Sequence, residues 1–241
     1  MNENERLDEW PEYYQQKFHG YSEGNLCLDA AIEQEIAGKA VGARNFTEEG
    51  ENGERVLRDA YDTQIIELLG SRHVEQARVV YDLGCGTGTS TRRMAQLYHR
   101  AESVLGVDLS PFMLAVGRYL LREGGTSIGK GEWVDDLATD NRISLRYADI
   151  TDTGLPSASA DVVSVCLVMH ELPQAVTKQV IAEAYRLLKP GGSLVIMEMD
   201  PQAPGYLKLR SNAMLFSLLR STEPYLDEYF DIAPALPKVL Q

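Results

Sequence analysis

The chain predicts an α/β fold, a parallel sheet wound with helices on both faces and preceded by a helical lid. From residue 79 onward, short apolar runs alternate with segments of helical period, the pattern of parallel strands joined by crossover helices. A glycine-rich turn, "VVYDLGCGTGTS" at 79–90, directly follows the first of those runs. Residues 1–75 hold helical patches and no alternating strand pattern.

Taken in order, helix-like patches at about 24–38 and 54–69 flank "GARNFTEEGENGE", a polar and acidic loop. Strands are predicted at 79–83, 103–107, 143–147, 161–167 and 193–198, with helices near 89–99, 111–122 and 173–188 between them. The second of these helices opens with Ser110-Pro111, an N-cap followed by proline in the first turn. The third carries Val176, Val180, Ile181, Ala184, Leu187 and Leu188 on one stripe and stops at Lys189-Pro190-Gly191-Gly192. The stretch "REGGTSIGKGEWVDDLATDN" (122–141) is long for a helix-to-strand connection and reads as a surface excursion, plugged onto the body by Trp133. A helix over about 205–221 and a short tail follow the fifth strand. The organisation expected is a lid over 1–75, a ligand-binding domain over 76–200 and a helical extension over 201–241.

Composition narrows the partners. The 241 residues carry 36 acidic against 23 basic side chains, a net charge of −13. Such a surface repels a phosphate backbone, so neither nucleic acid nor an anionic membrane is an expected partner. Cys27, Cys85 and Cys166 are odd in number and far apart, which opposes a disulfide framework and favours a reducing compartment. Their convergence on a soft metalloid such as arsenic would be needed for a thiol site, and no spacing of Cys and His suggests a metal. The polar N-terminus lacks a signal-peptide core, and the expected location is cytoplasmic, or plastid if a transit peptide has been removed.

The glycines carry the chemistry. A turn without side chains at the carboxyl end of a first strand lets a ligand approach the backbone beside a helix N-terminus. A dinucleotide-binding G-x-G-x-x-G would place its third glycine at 89, where threonine stands, and no Gly-Lys-Ser/Thr follows for a phosphate loop. Asp82, two residues before the first glycine, suits a ligand with a cationic amine better than a pyrophosphate. Asp82 alone could cap the neighbouring helix, and Asp108 alone could be a strand-end turn residue; with the glycines they read as a cofactor site.

Five segments in order then resemble the class I S-adenosylmethionine (SAM)-dependent methyltransferases, in a Rossmann-like sheet. They are "DLGCGTG" (82–88), "VLGVDLSPFML" (104–114), "YADITDTGLP" (147–156), "DVVSVCLVMHELP" (161–173) and "LLKPGGSLVIME" (187–198). The last two are closest to the quinone-biosynthesis-like, small-molecule branch called type 11. The resemblance implies SAM as cofactor. It implies a cradle from Gly84, Cys85, Gly86 and Gly88, with Asp82 on the amine side directly or through water. Asp108 would grip the ribose hydroxyls with Leu109 beside it, Asp149 would face the adenine amino group with Ile150 along the ring, and Leu167 would follow the fourth strand. His170, at the same edge, is the candidate to take a proton from a substrate hydroxyl. Tyr14, His19 and Tyr21 of the lid are candidates to touch substrate.

The family's sheet has seven strands, and this chain offers five, in order 3-2-1-4-5. The bare edge of the fifth predicts cover by the tail or pairing with a second copy. The expected activity is methyl transfer to the O, N or C atom of a small molecule; the alternative is a SAM-binding regulatory or scaffolding protein without turnover.

Overall fold

A computed structural model describes residues 10–123 and 140–236. Trp133 and most of the 122–141 excursion lie outside the described residues. The sheet consists of β1 (Val79–Leu83), β2 (Ser103–Asp108), β3 (Ile143–Tyr147), β4 (Ala160–Cys166) and β5 (Leu188–Met197), all parallel, in the order 3-2-1-4-5. Register is set by alternation. In β1, Tyr81 and Leu83 face one layer and Val80 faces the other, and β4 divides Val163 and Val165 from Val162 in the same way.

Two helical layers cover those faces. One is α6 (Gln174–Leu187) with Val176, Val180, Ala184 and Leu187 buried, joined by Tyr229 and Ile232 of α9 (Leu226–Ile232). The other brings Ile65 of α2 (Gly53–Leu69), Val74 of α3 (Ser71–Gln76), and Met94 and Ala95 of α4 (Thr89–Leu97) onto Val80, Val104, Val162 and Val195. The remaining helices are α1 (Leu28–Asn45), α5 (Pro111–Glu123), α7 (Pro204–Ser211) and α8 (Ala213–Thr222).

The lid is helical as expected, but α1 runs seven residues past the predicted end at 38 and takes in the start of the polar loop. It crosses α2 where Gly42 meets Gly53. A Cβ on Gly42 would come within 2.2 Å of the Glu54 backbone nitrogen, and one on Gly53 within 2.4 Å of the Gly42 carbonyl oxygen. Only glycine permits this backbone approach, and it keeps α1 low against the body.

Three other expectations need correction. The helix expected at 205–221 is two helices, broken at Asn212, which is extended and accepts a hydrogen bond from the Leu215 amide at 3.2 Å to cap α8. The break placed at 189–192 instead falls within β5, where the pairing shifts between Ala160 and Val162. Leu167 is not in β4: its φ of 55° ends the strand and turns the chain toward the ligand edge.

The loop after β3 is held by Glu183 of α6. Its Oε1 accepts from the Thr153 amide at 2.9 Å and hydroxyl at 2.6 Å, and Arg186 donates to both oxygens. Burial alone would raise its pKa, but these donors pull it from the ordinary 4.5 down to about 2. A depressed folded-state pKa contributes stability that is full above 4.5 and lost as pH falls toward 2. Glu183→Gln is therefore expected to lower the melting temperature by roughly 2–6 °C at neutral pH. The difference from the parent should shrink as pH drops through that window; a constant difference would show that its charge is irrelevant.

Candidate ligand site at the carboxyl edge of the sheet

The strand order reverses between β1 and β4, and the loops leaving the carboxyl ends of β1, β2, β3 and β4 open there into one cavity of about 1270 Å³. Its floor includes Gly84, Cys85, Gly86, Asp108, Leu109, Asp149, Ile150, Leu167 and His170, and its roof includes Tyr14, His19 and Tyr21. The topology thus brings together twelve of the expected residues from six segments. Asp82 and Gly88 are not among the lining residues.

Asp108 is the centre of the floor. Its Oδ2 accepts from the Gly86 amide at 2.7 Å, and its Oδ1 accepts from the Ser110 amide at 2.8 Å and the Tyr14 hydroxyl at 3.3 Å. Burial raises the carboxyl pKa, while the two amides and the phenol oppose that rise. The Tyr14 phenol is held well above its ordinary value, first by burial and then by Asp108, so it remains a donor. A lid hydroxyl thus already occupies a direction in which Asp108 can accept one.

Asp82 lies beneath the cavity floor rather than on it. It is fully buried on the sheet face toward α4, and its Oδ2 accepts from Ser90 at 2.6 Å and Thr91 at 2.7 Å. Burial raises its pKa, against the pull of the surrounding hydroxyls. It braces the start of α4 beneath the glycine turn and does not line the cavity. Gly88 is the N-cap of α4 at φ 90°, with ordinary clearance around its Cβ position, so its role is backbone conformation. At Gly86 both demands meet: φ is 53°, and a Cβ would strike the Gln34 amide at 2.1 Å.

The α4 N-terminus is covered by α1. Gln34 Oε1 accepts from the Thr87 amide at 2.6 Å, and Glu35 accepts from the Thr87 and Thr89 hydroxyls at 3.0 and 2.9 Å. Glu35 also pairs with Arg92, both side chains being largely buried. A carboxylate is favoured at this helix end by the unpaired amides and the helix dipole. No local pattern in the sequence announces it, because Glu35 and Arg92 lie in separate elements whose meeting depends on the α1–α2 crossing.

Another wall of the cavity is ionic. His170 follows β4 in a short 3₁₀ turn, Met169–Glu171, and its Nδ1 lies 2.8 Å from Glu198 Oε1. Burial would lower its pKa, but Glu198 overrides this and raises it to about 9, with help from Glu171 and Glu223. His19 reaches in from the lid, 3.0 Å from Glu223 and 3.8 Å from Glu171. Tyr21 donates to Glu33. Glu198 and Glu223 were missed from the sequence, although the "IMEMD" that ends β5 at the same sheet edge is a usable signal for the first.

The thiols do not converge. Cys85 and Cys166 are buried and Cys27 is partly exposed, all three free. Burial raises Cys85, and it raises Cys166 to about 11 against the pull of Arg58, so neither is a thiolate at neutral pH.

The Glu35–Arg92 pair yields a direct test of the lid's attachment. Glu35→Ala leaves Arg92 buried without its carboxylate, which should cost about 3 kcal/mol in urea-monitored unfolding. Proteolysis within α1 should accelerate in the same variant. A loss below about 0.5 kcal/mol, the size of an exposed pair, would mean that α1 does not seat on α4.

Known proteins bear on this geometry. A family model described as "Methyltransferase domain" matches residues 80–192. The carboxy-S-adenosyl-L-methionine synthase of Chromohalobacter salexigens is 34% identical over 139 residues, 56% of this chain and 46% of that protein. The demethylmenaquinone methyltransferase of Listeria welshimeri is 29% identical over 141 residues, 58% of this chain and 53% of its own. The ubiquinone/menaquinone biosynthesis C-methyltransferase of Stutzerimonas stutzeri is 27% identical over 154 residues, covering 64% and 53%. The chain spans about half the length of these curated relatives. Among the described residues no helix is long and apolar enough to cross a membrane. Residues 80–192 thus match the methyltransferase-domain family, and the curated relatives that the chain resembles over this region include quinone-biosynthesis methyltransferases.

Proposed function

We propose that this chain is an enzyme that transfers a methyl group from SAM to a small organic molecule. The observation that carries the reading is the Asp108 carboxylate at the cavity floor, tied to the bare Gly86 backbone and already accepting a hydroxyl. The donor set fits the cofactor: Asp108 can take ribose hydroxyls, the turn at Gly84–Gly86 leaves room for close approach, and Leu109, Ile150 and Asp149 offer an apolar edge and an acceptor for adenine. When bound, SAM supplies a methyl group activated by its sulfonium.

The protein's own part is to align and to exclude water. Leu167, held at φ 55° and hydrogen-bonded through its amide to Met197 at 2.7 Å, fixes the wall between cofactor and acceptor sides. Tyr13, Tyr14, Phe18 and Tyr21 give aromatic cover from above. His170, fixed through Nδ1 by Glu198, presents its other ring nitrogen to the cavity, where it can orient an acceptor. Asp82 acts at one remove, through α4 and the turn. The names of the quinone-biosynthesis relatives make quinol-type compounds the first acceptors to try.

SAM titration by calorimetry and transfer of labelled methyl to a naphthoquinol and phenol panel test the reading. Asp108→Ala should weaken SAM binding by about 1.5–3 kcal/mol, the worth of a hydrogen bond to a charged acceptor. Unchanged affinity would remove Asp108 from the cofactor site. SAM binding with no transfer to any acceptor would favour a binding protein without turnover.

Removing residues 1–24 deletes the aromatic cover and frees Asp108 from Tyr14. SAM affinity should persist and methyl transfer should fall strongly. Equal turnover with and without the segment would make these aromatics packing residues only.

A further inference from the structure

Four polar side chains, His19, His170, Glu171 and Glu223, cluster on one wall of the cavity. One ligand atom each from His19, His170 and Glu171 lie within 4.8 Å of one another. Glu223 joins them, its Oε1 3.0 Å from His19 Nε2. It is only 8% exposed, and its other oxygen, Oε2, is buried with no hydrogen-bond partner. We propose that His19, His170, Glu171 and Glu223 form a binding site for a divalent first-row metal ion of the zinc type.

The atoms behind each ligand support this. His170 Nδ1 is taken by Glu198 at 2.8 Å, which leaves Nε2 as the coordinating nitrogen. A carboxylate behind a histidine in this way fixes the ring and strengthens it as a ligand. Glu171 Oε2 accepts from the Asn25 amide at 3.0 Å, leaving Oε1 for the ion. His19 is the first central residue of a tight turn, Phe18-His19-Gly20-Tyr21, with φ of 50° and 89° at its centre and the bridge Phe18↔Tyr21 closing it. Its own amide donates to Thr222 O at 3.0 Å, so the turn is docked beside Glu223.

Two nitrogens and one or two carboxylates are a donor set that zinc takes, commonly with a position left open. Bonds of about 2.0–2.2 Å set tetrahedral ligand atoms roughly 3.4 Å apart, so the cluster closes by about an ångström on binding. His19, whose side chain is 44% exposed, is the member with room to move. The ligands come from the lid, from the turn after β4 and from the end of α8, so the ion would clamp the lid to the body. An open coordination position would face the cavity, where it suits an oxygen or nitrogen of a bound small molecule.

The test uses the full chain stripped with a chelator, then titrated with Zn²⁺ alone by calorimetry. One ion per chain should bind saturably and raise the melting temperature, as any ligand of the folded state does. His19→Gln, at the least buried ligand, should abolish the heat. Glu198→Gln should weaken binding by about 10–100-fold through the orientation of His170. Substituted Co²⁺ should give the visible absorption of a four-coordinate site, a signature that an ion pair cannot produce. Absence of saturable binding to the parent chain, or equal affinity in His19→Gln, overturns the site. SAM titration of the same metal-free protein is read separately, so failure of the metal site and failure of the cofactor reading are distinguishable.

Discussion

The Asp108 carboxylate is the joint on which the rest of the site depends. It ends β2 in the middle of the sheet, and its two oxygens bind the glycine turn after β1, the first residues before α5 and the lid tyrosine. An unpaired carboxylate buried at this depth would neutralise or unfold its surroundings. Four groups therefore fix one another: amides of Gly86 and Ser110 hold the charge, the charge holds the turn, and the Tyr14 phenol closes the remaining direction. Ser110 extends the joint, since its hydroxyl donates to Asn25 O at 2.6 Å and accepts from the Met113 amide at 3.1 Å. One cap thus connects α5, the lid and the cofactor floor.

Helix α1 is attached by polar contacts rather than by a large apolar face. Leu28, Ile32 and Ile36 of α1 remain exposed, while Gln34 and Glu35 on its inner side reach the α4 N-terminus. Only a small cluster, Ala30, Ala31 and Met113, is apolar and buried between α1 and α5. Polar attachment at a cavity roof can be exchanged for ligand contacts at little net cost, because each hydrogen bond lost is replaced by another. Tyr14 bonds Asp108 and Gln34 bonds the Thr87 amide, so the segment before β1 is tied to the end of β2 and to the glycine turn.

The walls of the cavity differ in electrostatics. The floor near Gly86 and Asp108 presents amides, one carboxylate and apolar edges. Beside it, Glu171, Glu198 and Glu223 surround His19 and His170. That ionic cluster depends on the meeting of the lid, β4, β5 and α8.

Much of this was legible along the chain. The strand order, the glycine turn, Asp108 and the lining residues Leu109, Asp149, Ile150 and His170 follow from local periodicity and a motif whose residues are close in sequence. Glycine is favoured where φ is positive or a ligand approaches, and a strand-end carboxylate lies at the edge its strand ends on, so such residues declare themselves. Tertiary structure alone decided the rest. Asp82 turned inward because even and odd positions of β1 face opposite layers, and its side chain met Ser90 and Thr91 instead of the cavity. Glu35 found Arg92, and His19 found Glu223 and Glu171, across separations that carry no periodic signal. Burial and neighbouring charge then set which of these groups hold protons, and those are properties of the folded environment rather than of any residue's identity.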